Sequence, residues 1–182
     1  EIAELVKLCR KIGIYTRMVT NCYWAKTAGS SDRLVAELKE NGLNQLRLSY
    51  SRWHQESVNR SNVLNAARSC QKIGLNYFIS FVTDFSKEDD SREQFLRNHG
   101  LTFFPEPVIY AGRAESFKPR RILTDYQANS CSMNPYLTPD LDMYACCDAG
   151  THFPETNFFY LGNLNGKTME QLFTKTETDG LH

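Results

Sequence analysis

Four glycines, Gly13, Gly42, Gly74 and Gly100, each close an amphipathic segment, and each is followed at once by a run of β-prone residues. They stand 29, 32 and 26 residues apart, so the first hundred residues read as one helix–strand unit written four times. Glycine is the residue that ends a helix in the left-handed conformation, and a change of hydrophobic period from 3.6 to 2 marks the passage from helix to strand. Strict alternation of this kind implies parallel strands joined by right-handed crossovers. The unit length suits the repeats of a (β/α) barrel. No Gly-x-Gly-x-x-Gly turn follows any of the strands, which disfavours a dinucleotide-binding sheet.

The individual segments are explicit. Ile2, Leu5, Val6, Leu8, Cys9 and Ile12 form a stripe at helical period that ends at Gly13. Ser30-Ser31-Asp32 offers a cap for the helix that stops at Gly42, and Asn59 to Ser61 begins the helix closed by Gly74. Strands are expected at Tyr15–Thr20, Gln45–Ser49 and Tyr77–Val82, adjacent and parallel, with their helices on one face. The segment LTFFPEPVIY carries two prolines, so its strand should be short or at an edge. After Gly112 the pattern dissolves into a charged, turn-rich stretch, and the boundary of a first domain, residues 1–117, is expected near Ser116 to Lys118.

The second domain, residues 118–182, is organised by cysteine. Cys131 is separated by fourteen residues from the pair Cys146-Cys147, and Pro139-Asp140 between them marks the turn of a hairpin. That hairpin brings Cys131 toward Cys146 and Cys147, a convergence of soft ligands that suits an iron-sulfur cluster or zinc. The alternative is that the pair packs as small apolar residues in a strand. His152 is a fourth candidate ligand. A short amphipathic helix carrying Met169, Leu172 and Phe173 is expected after Gly162-Asn163-Leu164.

Composition excludes several classes. Formal net charge is zero with a pI near 7.1, which gives no electrostatic footprint for nucleic acid. No apolar run is long enough to suggest a membrane span. Six cysteines, of which Cys9, Cys22 and Cys70 fall singly in helix and strand patterns, do not read as a disulfide framework, so a reducing cytoplasm is expected. The first residue, Glu1, already lies within an amphipathic helix, and the chain reads as an excerpt of a longer protein.

The C-terminal cysteine arrangement resembles the auxiliary-cluster domain of radical S-adenosylmethionine enzymes, called SPASM or, when shortened, twitch. The span from Cys131 to Cys146 matches, Leu141 stands where that family has Gly, and the absence of later Cys-x-x-Cys segments leaves the short version. The resemblance extends to the barrel. Thr20-Asn21-Cys22 is similar to the family's Thr-Asn-Gly at a strand end, with Cys22 in place of Gly. Leu48-Ser49-Tyr50-Ser51 followed by His54 is similar to its (Ile/Leu)-Ser-x-Asp followed by His, with Ser51 in place of Asp. Gly112-Arg113-Ala114 matches a segment near the last barrel strand. The resemblance implies that Asn21 and Ser49 face S-adenosylmethionine and that Cys131, Cys146 and Cys147 hold an auxiliary [4Fe-4S] cluster.

It further implies a parent enzyme that modifies a peptide or small molecule through a 5′-deoxyadenosyl radical. Electrons would come from a donor such as flavodoxin or ferredoxin. The family's Cys-x-x-x-Cys-x-x-Cys loop does not occur in these residues, so the expectation is that it lies upstream and that this chain alone is inert. An open barrel edge would then invite pairing with another chain. The rival readings are a zinc-binding scaffold without catalysis and a metal-free hydrolase or transferase. The hydrolase is disfavoured because no nucleophile elbow is visible.

Overall fold

The computed structural model describes residues 1–108, 135–145 and 159–178. They fall into two compact units, the first up to residue 108 and the second from residue 135. The expected boundary at 116–118 and the Gly112-Arg113-Ala114 segment lie outside the described residues.

The first unit follows the alternation read from the sequence. Helix α1 (Ile2–Lys11) leads into β1 (Arg17–Thr20), and α2 (Ala28–Asn41) joins β1 to β2 (Gln45–Tyr50). A short helix, α3 (Arg52–Gln55), and α4 (Arg60–Ile73) lead to β3 (Asn76–Thr83). A single 3-10 turn (Lys87–Asp89) and α5 (Asp90–Asn98) then lead to β4 (Phe103–Pro107). All neighbouring strands are parallel and lie in sequence order, β1-β2-β3-β4. The register pairs Thr20 with Leu48, Leu48 with Ile79, and Ile79 with Phe103. The proline-rich β4 is an outer strand, as expected of a segment short of backbone donors.

One face of this sheet carries the core. Leu46, Leu48 and Tyr50 of β2 and Ile79 and Phe81 of β3 are buried together with Val35 and Leu38 of α2. Val63, Ala66, Ala67 and Cys70 of α4 and Leu96 of α5 complete the same cluster. The small residues of α4 let its backbone lie close to the strands. The expected placement of the helices on one face therefore holds, and the sheet is singly wound. The opposite face carries no described helix: Val19 is 58% exposed and Phe104 56%.

Three details differ from the sequence reading. Helix α2 begins at Ala28, earlier than Ser30-Ser31-Asp32 suggested, because Thr27 and Ser30 form a reciprocal cap. The Thr27 hydroxyl accepts from the Ser30 N–H at 3.1 Å, and Ser30 Oγ accepts from the Thr27 N–H at 3.3 Å. Asp32 serves instead as an anchor for α4, accepting from Ser69 at 2.7 Å and from Lys72 at 2.6 Å. The stripe of α1 is only partly used: Val6 is buried, while Ile2, Leu5, Leu8 and Ile12 are all more than half exposed. Helix α3 was not foreseen, since four residues are too few to show a period.

The second unit contains the expected hairpin, β5 (Tyr136–Leu137) against β6 (Asp142–Tyr144), antiparallel, with Tyr136 opposite Tyr144. Its turn is closed by bonds from Leu141 N–H to the Thr138 carbonyl (3.0 Å) and from Thr138 N–H to the Asp142 carbonyl (2.9 Å). Leu141 takes φ +67° there. A third strand, β7 (Tyr160–Asn163), pairs with β6 where the sequence reading opened a helix at Gly162, and α6 begins later (Met169–Thr178). Gly162 sits at φ +132°, and a Cβ there would lie 2.9 Å from Leu172 Cδ2, so only glycine lets α6 press this close to the sheet. Leu172 is buried with Met143 and Leu161, whereas Met169 and Phe173 of the same helix remain exposed.

Two measurements check this architecture. In this chain Leu48→Ala is expected to cost about 2–5 kcal/mol of unfolding free energy by chemical denaturation. Val19→Ala, on the other face, should cost about 0.5 kcal/mol or less. Similar losses would mean that both faces are dry. In the hairpin, Leu141→Gly should raise stability by about 1 kcal/mol, because an L-residue at this φ is strained and the Leu141 side chain is 43% exposed. A destabilised variant would contradict the left-handed turn.

Candidate functional site

The C-terminal ends of β1, β2 and β3 gather the polar residues singled out in the sequence. Because Thr20 pairs with Leu48, Asn21 and Ser49 are the next residues along neighbouring parallel strands and stand side by side at that edge. Asn21 is exposed and its Oδ1 accepts from the Tyr23 N–H at 3.1 Å, which makes it a turn former with its amide NH₂ still outward. Ser49 is half-buried on the helix-free face, beside Ser80, and its hydroxyl makes no hydrogen bond among the described residues.

The loop between β1 and α2 is held rigidly. Thr20 Oγ1 accepts from the Cys22 N–H at 3.1 Å and from Trp24 Nε1 at 2.8 Å. Two asparagines of α4, one turn apart, bind its carbonyls: Asn62 Nδ2 reaches the Cys22 carbonyl at 3.1 Å and Asn65 Nδ2 the Ala25 carbonyl at 3.0 Å. Sequence reasoning passed over these residues. The signal was a pair of amides on the apolar face of an amphipathic helix, where side-chain amides are accepted only if they have partners. Between these restraints Cys22 is fully buried at φ +64°.

Burial pushes the Cys22 thiol up to about 12, and the nearby Cys70 adds to the effect; burial does the same to Cys70, also to about 12. Both are protonated at neutral pH and buried, so neither is a reactive thiolate nucleophile. The sequence reading had dispersed these two cysteines. The fold brings them near one another inside one core, where they act as small apolar groups.

After β2, Ser51 caps α3. Its Oγ accepts from the His54 N–H at 3.1 Å and lies 2.7 Å from His54 Nδ1. The hydroxyl has both a proton and a second lone pair for this contact, so it serves either tautomer of the ring. Burial lowers the His54 pKa, which keeps the ring neutral. Ser51 is fully buried, so this Ser–His pair is a cap and presents no hydroxyl to a substrate.

The strongest electrostatic feature joins the ends of β2 and β3. Arg52 is bidentate on Asp84, Nη2 to Oδ2 at 2.5 Å and Nη1 to Oδ1 at 3.1 Å, and its Nη1 also reaches Ser86 Oγ at 3.0 Å. Glu88 and Asp89 lie 3.3 and 3.7 Å from Nη1, and the guanidinium stacks 4.4 Å over the Trp53 ring. Asp89 Oδ2 accepts from Thr83 Oγ1 at 2.6 Å, which ties the strand end to the turn that follows it. Sequence reasoning did not pair Arg52 with Asp84, because nothing in the sequence links residues 32 positions apart.

Among the described residues, no group of three or more His, Cys, Asp or Glu side chains is arranged to hold a metal ion. Cys131, Cys146, Cys147 and His152 lie outside the described residues, as does Arg113. The two strands of the β5–β6 hairpin run toward Cys131 on one side and Cys146-Cys147 on the other. No family model matches the chain, and no curated protein matches it either.

The Arg52–Asp84 pair has a pH signature. Burial alone would raise the Asp84 pKa, but hydrogen bonds from Arg52 and Ser86, with the Arg52 charge, lower it from 3.8 to about 2. A carboxyl depressed on folding stabilises the fold above its unfolded pKa, and that contribution is lost as the pH falls through about 2. Wild-type stability should therefore drop by about 2 kcal/mol more than that of Asp84→Asn between pH 4 and pH 2. Parallel stability–pH curves in a denaturation series would overturn the assignment.

Proposed function

We propose that these residues are the barrel wall and auxiliary-cluster domain of a radical S-adenosylmethionine enzyme that modifies a peptide or small molecule. The observation that carries this reading is conformational. Cys22 and Leu141 are the two places where the chain has another residue at the family's glycine. They are also two of only three non-glycine residues with positive φ among the described residues, at +64° and +67°. A left-handed backbone is what glycine supplies at no steric cost, so the glycine positions of the family and the backbone of this chain agree. The third departure is conservative as well. Ser51 stands for Asp at a helix N-cap, where either side chain accepts the same backbone N–H.

Two further features support it. A parallel sheet in sequence order, with every described helix that packs on it on one face, is what a (β/α) barrel wall would present. In the second unit the core among the described residues is Met143, Leu161 and Leu172, with little else. A cluster bound by Cys131, Cys146 and Cys147 would add a staple to the unit that holds this centre.

In this reading the Ser49 hydroxyl and the Asn21 amide, both with donors to spare, bind S-adenosylmethionine at the strand ends. When bound to a reduced [4Fe-4S] cluster that cofactor supplies hydrogen-atom abstraction. The catalytic Cys-x-x-x-Cys-x-x-Cys loop is absent from these 182 residues, so the chain by itself contributes binding and an auxiliary cluster. Flavodoxin or ferredoxin is the electron donor proposed. The exposed stripe of α1 beside the outer strand β1 is where a further βα unit would pair. A reducing, cytoplasmic setting agrees with the free state of Cys9, Cys22 and Cys70. Among the described residues no helix is long and apolar enough to cross a membrane.

Anaerobic reconstitution with iron and sulfide tests the proposal. A visible charge-transfer absorbance is expected, abolished by Cys131→Ala and by Cys146→Ala and intact in Cys70→Ala. Equal iron in all three variants would remove the site assignment. Zinc bound in place of iron would favour a scaffold without radical chemistry.

A further inference from the structure

The helix-free face of the sheet is polar in a patterned way. Arg17 and Gln45 stand in one row; Val19, Arg47 and Phe78 in the next; Ser49, Ser80 and Phe104 follow; Val82 and Glu106 come last. Arg47 Nη2 donates to Ser80 Oγ at 3.0 Å and pairs with Glu106, and Ser80 donates to the same Glu106 Oε2 at 2.6 Å. The pair is only about one-third exposed, 32% and 33%, on a face with no described helix over it. Yet Arg47 Nε is enclosed with no acceptor among the described residues. A guanidinium N–H sealed from water without a partner is costly, and an added acceptor relieves it.

A second guanidinium converges on the same point. Arg17 lies 5.4 Å and Arg47 5.8 Å from the centroid of the Phe78 ring. Arg17 donates from Nε to the neutral Gln45 Oε1 at 2.7 Å and meets no carboxylate among the described residues. Among the described residues the charged groups of this face are thus two guanidiniums and one carboxylate, an excess of one positive charge. Phe78 and Phe104 pack edge to face at 5.6 Å and give the site an apolar floor.

We infer that this face binds an organic carboxylate with an apolar body, held by Arg47 and Arg17 over Phe78 and Phe104. One excess positive charge matches a monoanion, and the planar fork of arginine matches a carboxylate. Glu106 and Ser80 fix the Arg47 rotamer through Nη2, and no described residue accepts from Nη1. The reading of the chain as a barrel wall is needed only for calling this carboxylate the substrate's, since that face would then line the barrel interior.

The test uses the whole chain and two probes, N-acetylphenylalanine and its uncharged amide, followed by chemical shifts of the arginine Nε–Hε pairs. The acid should give saturable shifts at Arg47 and Arg17, and the amide should give none. Arg47→Gln should weaken binding about tenfold or more, with the far-ultraviolet circular dichroism unchanged. Glu106→Gln, which removes the competing carboxylate, should tighten it about threefold. A purely structural ion pair would not gain affinity there. No saturable shift, equal shifts from the amide, or binding retained in Arg47→Gln overturns the inference. The outcome is independent of iron: a reconstituted cluster without carboxylate binding rejects this inference alone. Carboxylate binding without a cluster leaves it standing and rejects the radical-enzyme reading.

Discussion

Leu46, Leu48 and Tyr50 of β2 and Ile79 and Phe81 of β3 are the surface against which α2, α4 and α5 all pack, and this shared apolar contact sets the rest of the first unit. Parallel strands cannot be joined without a crossover, and the right-handed crossover returns each helix to the same side. Once three helices share one face, the alternate residues of every strand are forced onto the other. There the same pleat that buries Leu46 and Leu48 presents Arg47 and Ser49. The polar face is therefore a consequence of the core's period, and its chemistry can vary without touching the fold.

The elements themselves were legible because each has a local cause. Leu46 and Leu48 marked β2, aromatic and β-branched residues marked β3, glycines marked the ends of α2 and α4, and both of those glycines adopt the left-handed cap that ends a helix. What the sequence did not show is what depends on distance along the chain. Asp32 looked like a cap because it sits near a helix start, but its partners are Ser69 and Lys72 on another helix. Arg52 and Asp84 each looked unremarkable alone. Strand β7 was hidden because its pairing with β6 includes a bulge, which breaks the period that would have revealed it. Asn21 and Ser49 could be named from their neighbours, and the register sets them side by side. The cysteines of the second domain were named on spacing, which says nothing of geometry.

Two of the left-handed non-glycine residues, Cys22 and Leu141, are tolerated for different reasons. Cys22 is fully buried, and its backbone is gripped from both sides, by Thr20 through the N–H and by Asn62 through the carbonyl. Residues in sparsely populated conformations persist where the surroundings over-determine them, and here two hydrogen bonds and a sealed thiol do so. Leu141 has no such cage. Its turn is closed by short backbone bonds, while Asn163 braces the neighbouring residues, donating to the Asp140 carbonyl at 2.8 Å and to Asp142 Oδ1 at 2.9 Å. The strain at Leu141 is thus carried by the third strand, which makes β7 a condition for the hairpin.

The two arginine–carboxylate pairs of the sheet show how coordination separates structure from binding. Arg52 uses both Nη atoms on Asp84, adds Ser86, and has Glu88 and Asp89 beside it, so positive charge is outnumbered. Such a centre locks two strand ends and has no positive charge to spare for an anion. Arg47 engages one nitrogen, shares its carboxylate with Ser80, and has a second guanidinium close by. The first pair lies past the strand ends and is nearly dry, with side-chain exposures of 17% and 4%; the second is about one-third exposed, on a face with no described helix over it. Removing Asp84 would take the bidentate partner from a nearly dry cation, whereas an anion arriving at Arg47 would add to what Glu106 supplies. Excess charge on a rigid, accessible face is the physical difference between a clasp and a site.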